Sequence, residues 1–334
     1  MQMGKKDGRK SLINWFRQLS LLGKITVLGT IVAVIIGMMS LFLSIYGIHL
    51  ARKTPKTFEE LIKRMVAVPS PFQDGVMEFV PKDEFEFQRF TLAGDSEFHR
   101  GNFIKAEALY TEAYKLAKES RRKQLIALAL LGIGTTKGMQ GDFPKAIGKL
   151  KQSLKYKNEI KDERVLSIIY LNLGISYYLL RKSNEGIKNF NKAIELNPNS
   201  ATAYNNRGAI HLDKGEFDKA IMDFSKAIEI EPNFAMAYMN RGNAYRWKGE
   251  PDKAIKDYNK AIEIDPQDGI AYWNRGNFHF VRNEFDKAIP DLTKVIESGL
   301  KFAEAYSHRG YAYVKTGKFD RAITDFNKAL ELSP

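Results

Sequence analysis

YNNRGAIH (204–211), YMNRGNAY (238–245), YWNRGNFH (272–279) and YSHRGYAY (306–313) stand 34 residues apart, each with an aromatic first and glycine fifth. Twelve residues after each glycine comes Ala220, Ala254, Ala288 or Ala322. Self-similarity at a constant period means a repeat array, in which one supersecondary unit recurs and stacks on its neighbours. Working outward, Gly94, Gly134 and Gly174 continue the series towards the N-terminus at a step of 40 residues. Counting the glycine as position 8, seven units start near 87, 127, 167, 201, 235, 269 and 303. The six extra residues of the early units fit helices lengthened by a turn or more.

Within a unit the apolar and small positions follow a helical wheel. Positions 4, 8 and 11 fall within about 60° of one another at about 100° per residue. Small residues at 8 and 20 let two helices pack closely, and Pro232, Pro266 and Pro334 at position 32 end the second helix. One such unit cannot bury its apolar face alone, so stacking makes a continuous core.

The pattern resembles the tetratricopeptide repeat, with its helix–turn–helix signature W-x2-L-G-x2-Y…A-x3-F…P over 34 residues. The fourth unit carries it as Tyr204, Gly208, His211, Ala220, Phe224, Ala227 and Pro232. The fifth has Tyr238, Gly242, Tyr245, Ala254, Tyr258, Ala261 and Pro266, and the seventh has Tyr306, Gly310, Tyr313, Ala322, Phe326, Ala329 and Pro334. The sixth departs late, with Leu292 at the aromatic position and Leu300 at the proline position. The resemblance implies an all-α fold, a right-handed α-solenoid over residues 87–334 with a concave groove lined by the first helices.

The remaining 86 residues divide three ways. Residues 1–24 are a basic segment, six Lys or Arg against Asp7. Residues 25–50 contain no Asp, Glu, Lys or Arg, and the apolar stretch 25–48 is long enough to cross a hydrocarbon core of about 30 Å as one transmembrane helix. That apolar run exceeds a secretory h-region, and no A-x-A site follows, which favours a retained anchor over a cleaved signal. Trp15, Phe16, Tyr46 and His49 suit the two interfaces. Basic residues flank both ends, and the short basic N-terminus tips the orientation to N-terminus inside and repeats on the extracytoplasmic side. Gly29, Ala33 and Gly37 form a small-xxx-small row through which two helices could associate. Residues 51–86, with Pro69, Pro71, Gly75 and Pro81, read as a connector.

Net charge is +13, of which +5 sits in the first 24 residues, so the repeats are mildly basic and carry no nucleic-acid footprint. The absence of cysteine removes disulfides, thiolate metal sites and cysteine nucleophiles. The five histidines have no metal-ligand spacing, and Gly132–Gly138 lacks the spacing of a phosphate loop and registers inside a repeat helix. No cofactor and no catalysis are expected.

Opposite the packing face lie positions 2, 5, 6, 9, 12 and 13, the expected groove. Position 6 gives Asn172, Asn206, Asn240 and Asn274, then His308. Carboxamides can bridge the N–H and C=O of an extended peptide whatever its sequence. The row resembles the asparagine ladder of the O-GlcNAc transferase repeat superhelix. Beside it come Asn243, Asn277, Trp247, Trp273, Phe280, Tyr178 and Tyr311, aromatics of a kind that anchor a partner or pad neighbouring helices. Arg207, Arg241, Arg275 and Arg309 at position 7 occur only in units with Asp at position 23, namely Asp223, Asp257, Asp291 and Asp325. Their joint appearance predicts bridges between helices rather than phosphate binding. The expected function is a membrane-anchored scaffold binding a protein or peptide segment. Alternatives are a structural oligomer assembling through the last repeat and a basic surface for anionic lipid or nucleic acid.

Overall fold

The computed structural model describes residues 82–332. They form seven antiparallel helix pairs: α1 Lys82–His99 with α2 Phe103–Glu119, α3 Lys123–Met139 with α4 Phe143–Leu154, and α5 Glu163–Leu179 with α6 Ser183–Leu196. Then come α7 Ala201–Asp213 with α8 Phe217–Ile230, α9 Ala235–Lys248 with α10 Pro251–Ile264, α11 Gly269–Val281 with α12 Phe285–Glu297, and α13 Ala303–Lys315 with α14 Phe319–Leu332. Among the described residues there is no strand, and no helix is long and apolar enough to cross a membrane. The anchor read at 25–50, the row Gly29, Ala33 and Gly37, and the basic segment 1–24 lie outside the described residues.

Five of the seven pairs are closed by the same contact with an aromatic ring, and Leu150 and Leu292 take its place in the second and sixth. A Cβ built on Gly208 would meet the Phe224 ring at 2.8 Å, one on Gly242 the Tyr258 ring at 2.7 Å, and one on Gly174 the Phe190 ring at 2.5 Å. Glycine at position 8 is therefore the hollow that receives the position-24 ring. Phe190, Phe224 and Tyr258 are fully buried there, each removing on the order of 2 kcal/mol of apolar exposure. The turn between paired helices holds position 15 at positive φ: Gly215 at 72°, Gly249 at 83°, Asn283 at 58° and Arg181 at 60°. Glycine and asparagine visit that region at little cost, whereas arginine does not. Three second helices end at Leu196, Ile230 and Ile264, and their C-caps Asn197, Glu231 and Asp265 directly precede proline. In the sixth repeat, where Leu300 replaces the proline, α12 stops at Glu297 and Gly299 turns the chain at φ 80°.

Three helix starts differ from the sequence expectation. Residues 82–86, assigned to the connector, form the first turn of α1, and α3 and α5 also begin four residues before 127 and 167. Acidic Asp83 and Glu84 favour a helix N-terminus there, and Arg122 bonds both carboxylates from the start of the next repeat. The extra residues of the first repeat lengthen α2 to 17 residues and α3 to 17, against 14 in α8 and 13 in α7. Those of the second go partly into a link, where the 3-10 turn Lys157–Glu159 precedes α5.

Successive first helices touch one another along the whole stack, and second helices make little contact with each other. In a curved stack the elements that approach one another line the inner side. The odd-numbered helices α1 to α13 therefore line the concave face.

Candidate functional site

Four arginines tie the first helix of a repeat to its second helix. Arg207 Nε and Nη2 donate to Asp223 at 2.8 and 2.6 Å, and Arg241, Arg275 and Arg309 repeat the geometry on Asp257, Asp291 and Asp325. These are the bridges the joint appearance of the two residues predicts, in the bidentate form that suits a guanidinium. The sequence did not reveal the third bond. Nη1 of each arginine reaches back one repeat, to Asn191, Ser225, Asn259 and Thr293 at distances between 2.7 and 3.1 Å. All four acceptors stand at position 25, sixteen residues before their arginine. Each guanidinium also lies over the Tyr204, Tyr238, Tyr272 or Tyr306 ring of its own helix. A guanidinium held on three sides has little left for a phosphate.

The asparagine row divides. Asn172 donates to Thr135 Oγ1 at 3.0 Å and Asn240 to Asn205 Oδ1 at 3.0 Å, each joining two successive first helices. Asn206 turns back onto the Thr202 carbonyl of its own helix at 2.8 Å. Asn243 accepts from the Tyr258 hydroxyl at 2.7 Å, and Tyr178 donates to Asp213 at 2.7 Å. Burial, then the bond to Asp213, pushes the Tyr178 hydroxyl up to about 12. Asn274 and Asn277 keep their carboxamides without a protein partner among the described residues.

Asn243, Trp247 and Asn274 come together. With Leu212, Asp213 and Phe217 they line an open pocket of about 470 Å³ across α7, α9 and α11. Trp247 is 62% exposed, with the Arg246 guanidinium 5.2 Å from its ring centre.

Trp273, Phe280 and Tyr311 form a different assembly with His308. The His308 ring is parallel to Phe280 at 4.2 Å and to Trp273 at 5.3 Å. Trp273 and Phe280 are two helical turns apart on α11, so the imidazole is sandwiched between them. Phe302 meets Trp273 edge-on at 5.8 Å, and Tyr311 meets Phe280 edge-on at 5.6 Å. Burial holds His308 below its usual range, and its Nδ1 is buried without a partner. Trp273 and Phe280 thus pack neighbouring repeats together, and Tyr311 remains exposed at the rim.

The sequence reading missed a row of apolar side chains at position 13. Met139, Leu179 and Val281 are exposed there in register with Trp247, and Ile168 and Met236 are exposed at position 2. Together they give the concave face an apolar lining that reaches beyond the 470 Å³ pocket. The signal was present in the column of residues at position 13, which holds only one acidic residue, Asp213. Among the described residues no group of three or more potential ligands could hold a metal ion, and Gly132–Gly138 lies inside α3.

Models of the tetratricopeptide repeat match residues 201–234, 235–268 and 303–334, and related models match 90–159 and 182–215, together more than half of the chain. The gap between 268 and 303 is the sixth repeat, which departs from the pattern at Leu292 and Leu300. Among curated proteins, the peptidyl-prolyl cis-trans isomerase FKBP4 of Bos taurus is 28% identical over 135 residues, covering 37% of this chain and 28% of that one. The chloroplastic tetratricopeptide repeat domain-containing protein PYG7 of Arabidopsis thaliana is 30% identical over 108 residues, covering 32% and 35%. The match thus spans about a third of the length of these relatives. A solved tetratricopeptide repeat protein from Parabacteroides merdae superposes with a TM-score of 0.55 at 21% identity, over 75% of this chain and 94% of that one. That likeness shows the fold. The chain belongs to the tetratricopeptide repeat proteins.

Proposed function

We propose that the chain is a membrane-anchored scaffold that holds a protein or peptide segment in the concave groove of its repeats. The observation that carries the groove reading is the pocket where exposed Trp247 stands beside the Asn243 and Asn274 carboxamides. A partner gains most where a large aromatic closes over it, and an extended backbone finds donors and acceptors in the carboxamides. The apolar row at position 13 continues the surface, so Trp247, Asn274, Asn277 and Tyr311 are the groove residues with most to offer a ligand.

Anchoring rests on residues 25–50, free of charged side chains and long enough to span. The short basic N-terminus stays inside, and the repeats stand on the extracytoplasmic side. Tethering to one membrane raises the effective concentration of neighbouring partners, so individually weak groove contacts suffice. Since the chain has no cysteine, Ser333→Cys supplies a single thiol for topology. A membrane-impermeant maleimide should label this variant in intact cells, and labelling only after lysis overturns the orientation. Partner capture is tested by crosslinking in those cells: Trp247→Ala should reduce the crosslinked species, and an unchanged yield would remove the pocket from the binding surface.

A second reading, self-association, is favoured by one observation. On α14, Phe319, Ile323 and Leu330 are exposed, whereas Phe285, Ile221 and Ile228 at the same positions of earlier repeats pack with Tyr311, Ala244 and Ala237 of the next first helix. Light scattering of Ile323→Glu distinguishes the two: a mass that falls relative to wild type supports assembly through α14.

A further inference from the structure

In repeats 4 to 7 the space between positions 4, 7 and 11 of the first helix and position 23 of the second is filled by the arginine and its aspartate. The third repeat has the same helix-pair arrangement and lacks both groups: position 7 is Leu173 and position 23 is Asn189. At position 25 of the preceding repeat, where the other junctions place Asn191, Ser225, Asn259 or Thr293, it has Lys151. The space is open. A pocket of about 400 Å³ lies between α4, α5 and α6, at the place the missing rung would occupy.

Its walls are apolar and its rim is basic. Tyr170 and Tyr177 stand on one side over the buried Leu173, with Leu154 opposite. Lys151 lies 5.6 Å from the Tyr177 ring centre, and Lys188 has no anionic partner among the described residues. Lys192 also lines the pocket but pairs with Glu195 at 2.7 Å, and Glu185 is the one carboxylate in the lining. Two available ammonium groups against one carboxylate leave a single positive charge in excess, beside aromatic and aliphatic walls.

We propose that this vacated rung binds a small organic monoanion, its carboxylate meeting Lys151 and Lys188 and its apolar body packing on Leu154, Leu173 and the two tyrosines. The groups are complementary because an ion pair at the rim is strengthened by the low-dielectric wall behind it. The apolar body gains by leaving water. A dianion such as phosphate lacks that body and meets Glu185, which disfavours its second charge. The site uses positions 4, 7 and 11 and shares no residue with the concave groove, so it stands or falls independently of partner capture there.

The molecule supplies its own control. Lys256 occupies position 22 of the fifth repeat, as Lys188 does in the third, beside a filled Arg241–Asp257 rung. The experiment follows lysine acetylation on the full chain by peptide mass spectrometry, with 2-naphthoate, its neutral analogue 2-naphthalenemethanol, or inorganic phosphate present. At about twice its dissociation constant, 2-naphthoate should slow labelling of Lys188 about threefold and leave Lys256 unchanged. Lys151→Asn with Leu173→Arg and Asn189→Asp rebuilds the rung, and in that variant the protection of Lys188 should disappear. Should the triple variant fail to fold, Lys151→Glu alone, at an exposed side chain, should abolish the protection. Equal slowing at Lys256, equal protection by the neutral analogue or by phosphate, or protection that survives these substitutions would overturn the proposal.

Discussion

Between Leu173 and Asn189 in the third repeat there is open space, whereas between Arg207 and Asp223 in the fourth there are two hydrogen bonds of 2.8 and 2.6 Å. The contrast runs through the molecule. Repeats 1 to 3 carry Ala93, Ile133 and Leu173 at position 7 and are joined by apolar clusters such as Phe87, Leu125, Ile126 and Leu130. Their polar ties are individual: Ser153 to the Ala127 carbonyl, Ser167 to the Ala193 carbonyl, Arg122 to Glu84. Repeats 4 to 7 use one rung four times. The first two repeats are also 40 residues long, whereas the step is 34 from Gly174 onward. Apolar contact is non-directional and tolerates an added helical turn, while a bidentate pair with a third bond to the repeat before it fixes the spacing of all three groups.

The sharpest way to break this comparison is to remove one half of a rung. Asp257→Ala leaves Arg241 half-buried without its carboxylate and should cost about 3 kcal/mol in urea denaturation. Arg241→Leu with Asp257→Asn, which copies the third repeat, should cost clearly less than Asp257→Ala alone, because no charge is stranded. Asn189→Ala in the third repeat should change stability by less than about 0.5 kcal/mol. If the single and double variants are equally destabilised, the rung contributes only packing.

A second difference lies within the groove. Trp273→Ala empties the stack around His308 and should lower stability by about 2 kcal/mol, a discounted truncation cost because the ring is only partly buried. Trp247→Ala should leave thermal stability nearly unchanged, being exposed. Comparable losses of stability from both would mean that Trp247, too, is a structural contact. The smallest effect sharpens the turn comparison. Arg181 sits at φ 60° where Gly215 and Gly249 stand in later repeats, so Arg181→Gly should raise stability by about 1 kcal/mol in the same assay.

What could be read from the sequence was whatever every unit must repeat. Gly208 and Gly242 recur because one atom more would collide with Phe224 or Tyr258, and that necessity prints a period on the chain. The Arg–Asp pairing was legible because repeats 1 to 3 lack both members together. Its third bond was not, since Asn191, Ser225, Asn259 and Thr293 look unrelated until their side-chain oxygens are seen to meet one guanidinium geometry. The groove was legible as a list of wheel positions and not as a set of free groups. Whether Asn240 faces a ligand or Asn205 depends on how close the neighbouring helix lies, which no residue within one repeat encodes. The beginning of α1 was missed because an ion pair to Arg122, 38 residues away, helps to hold it.

Because each arginine bonds backward to position 25, a unit of this half carries a donor for the repeat before it and an acceptor for the repeat after it. The junctions are therefore interchangeable. A 34-residue unit duplicated between the fourth and fifth repeats would find its rung complete on both sides with no further substitution. Such an array can change length by whole units, as a chain of identical couplings can. The first three repeats, each fastened by its own side chains, have no such freedom, so variation in length among descendants of this sequence would accumulate beyond Ala201.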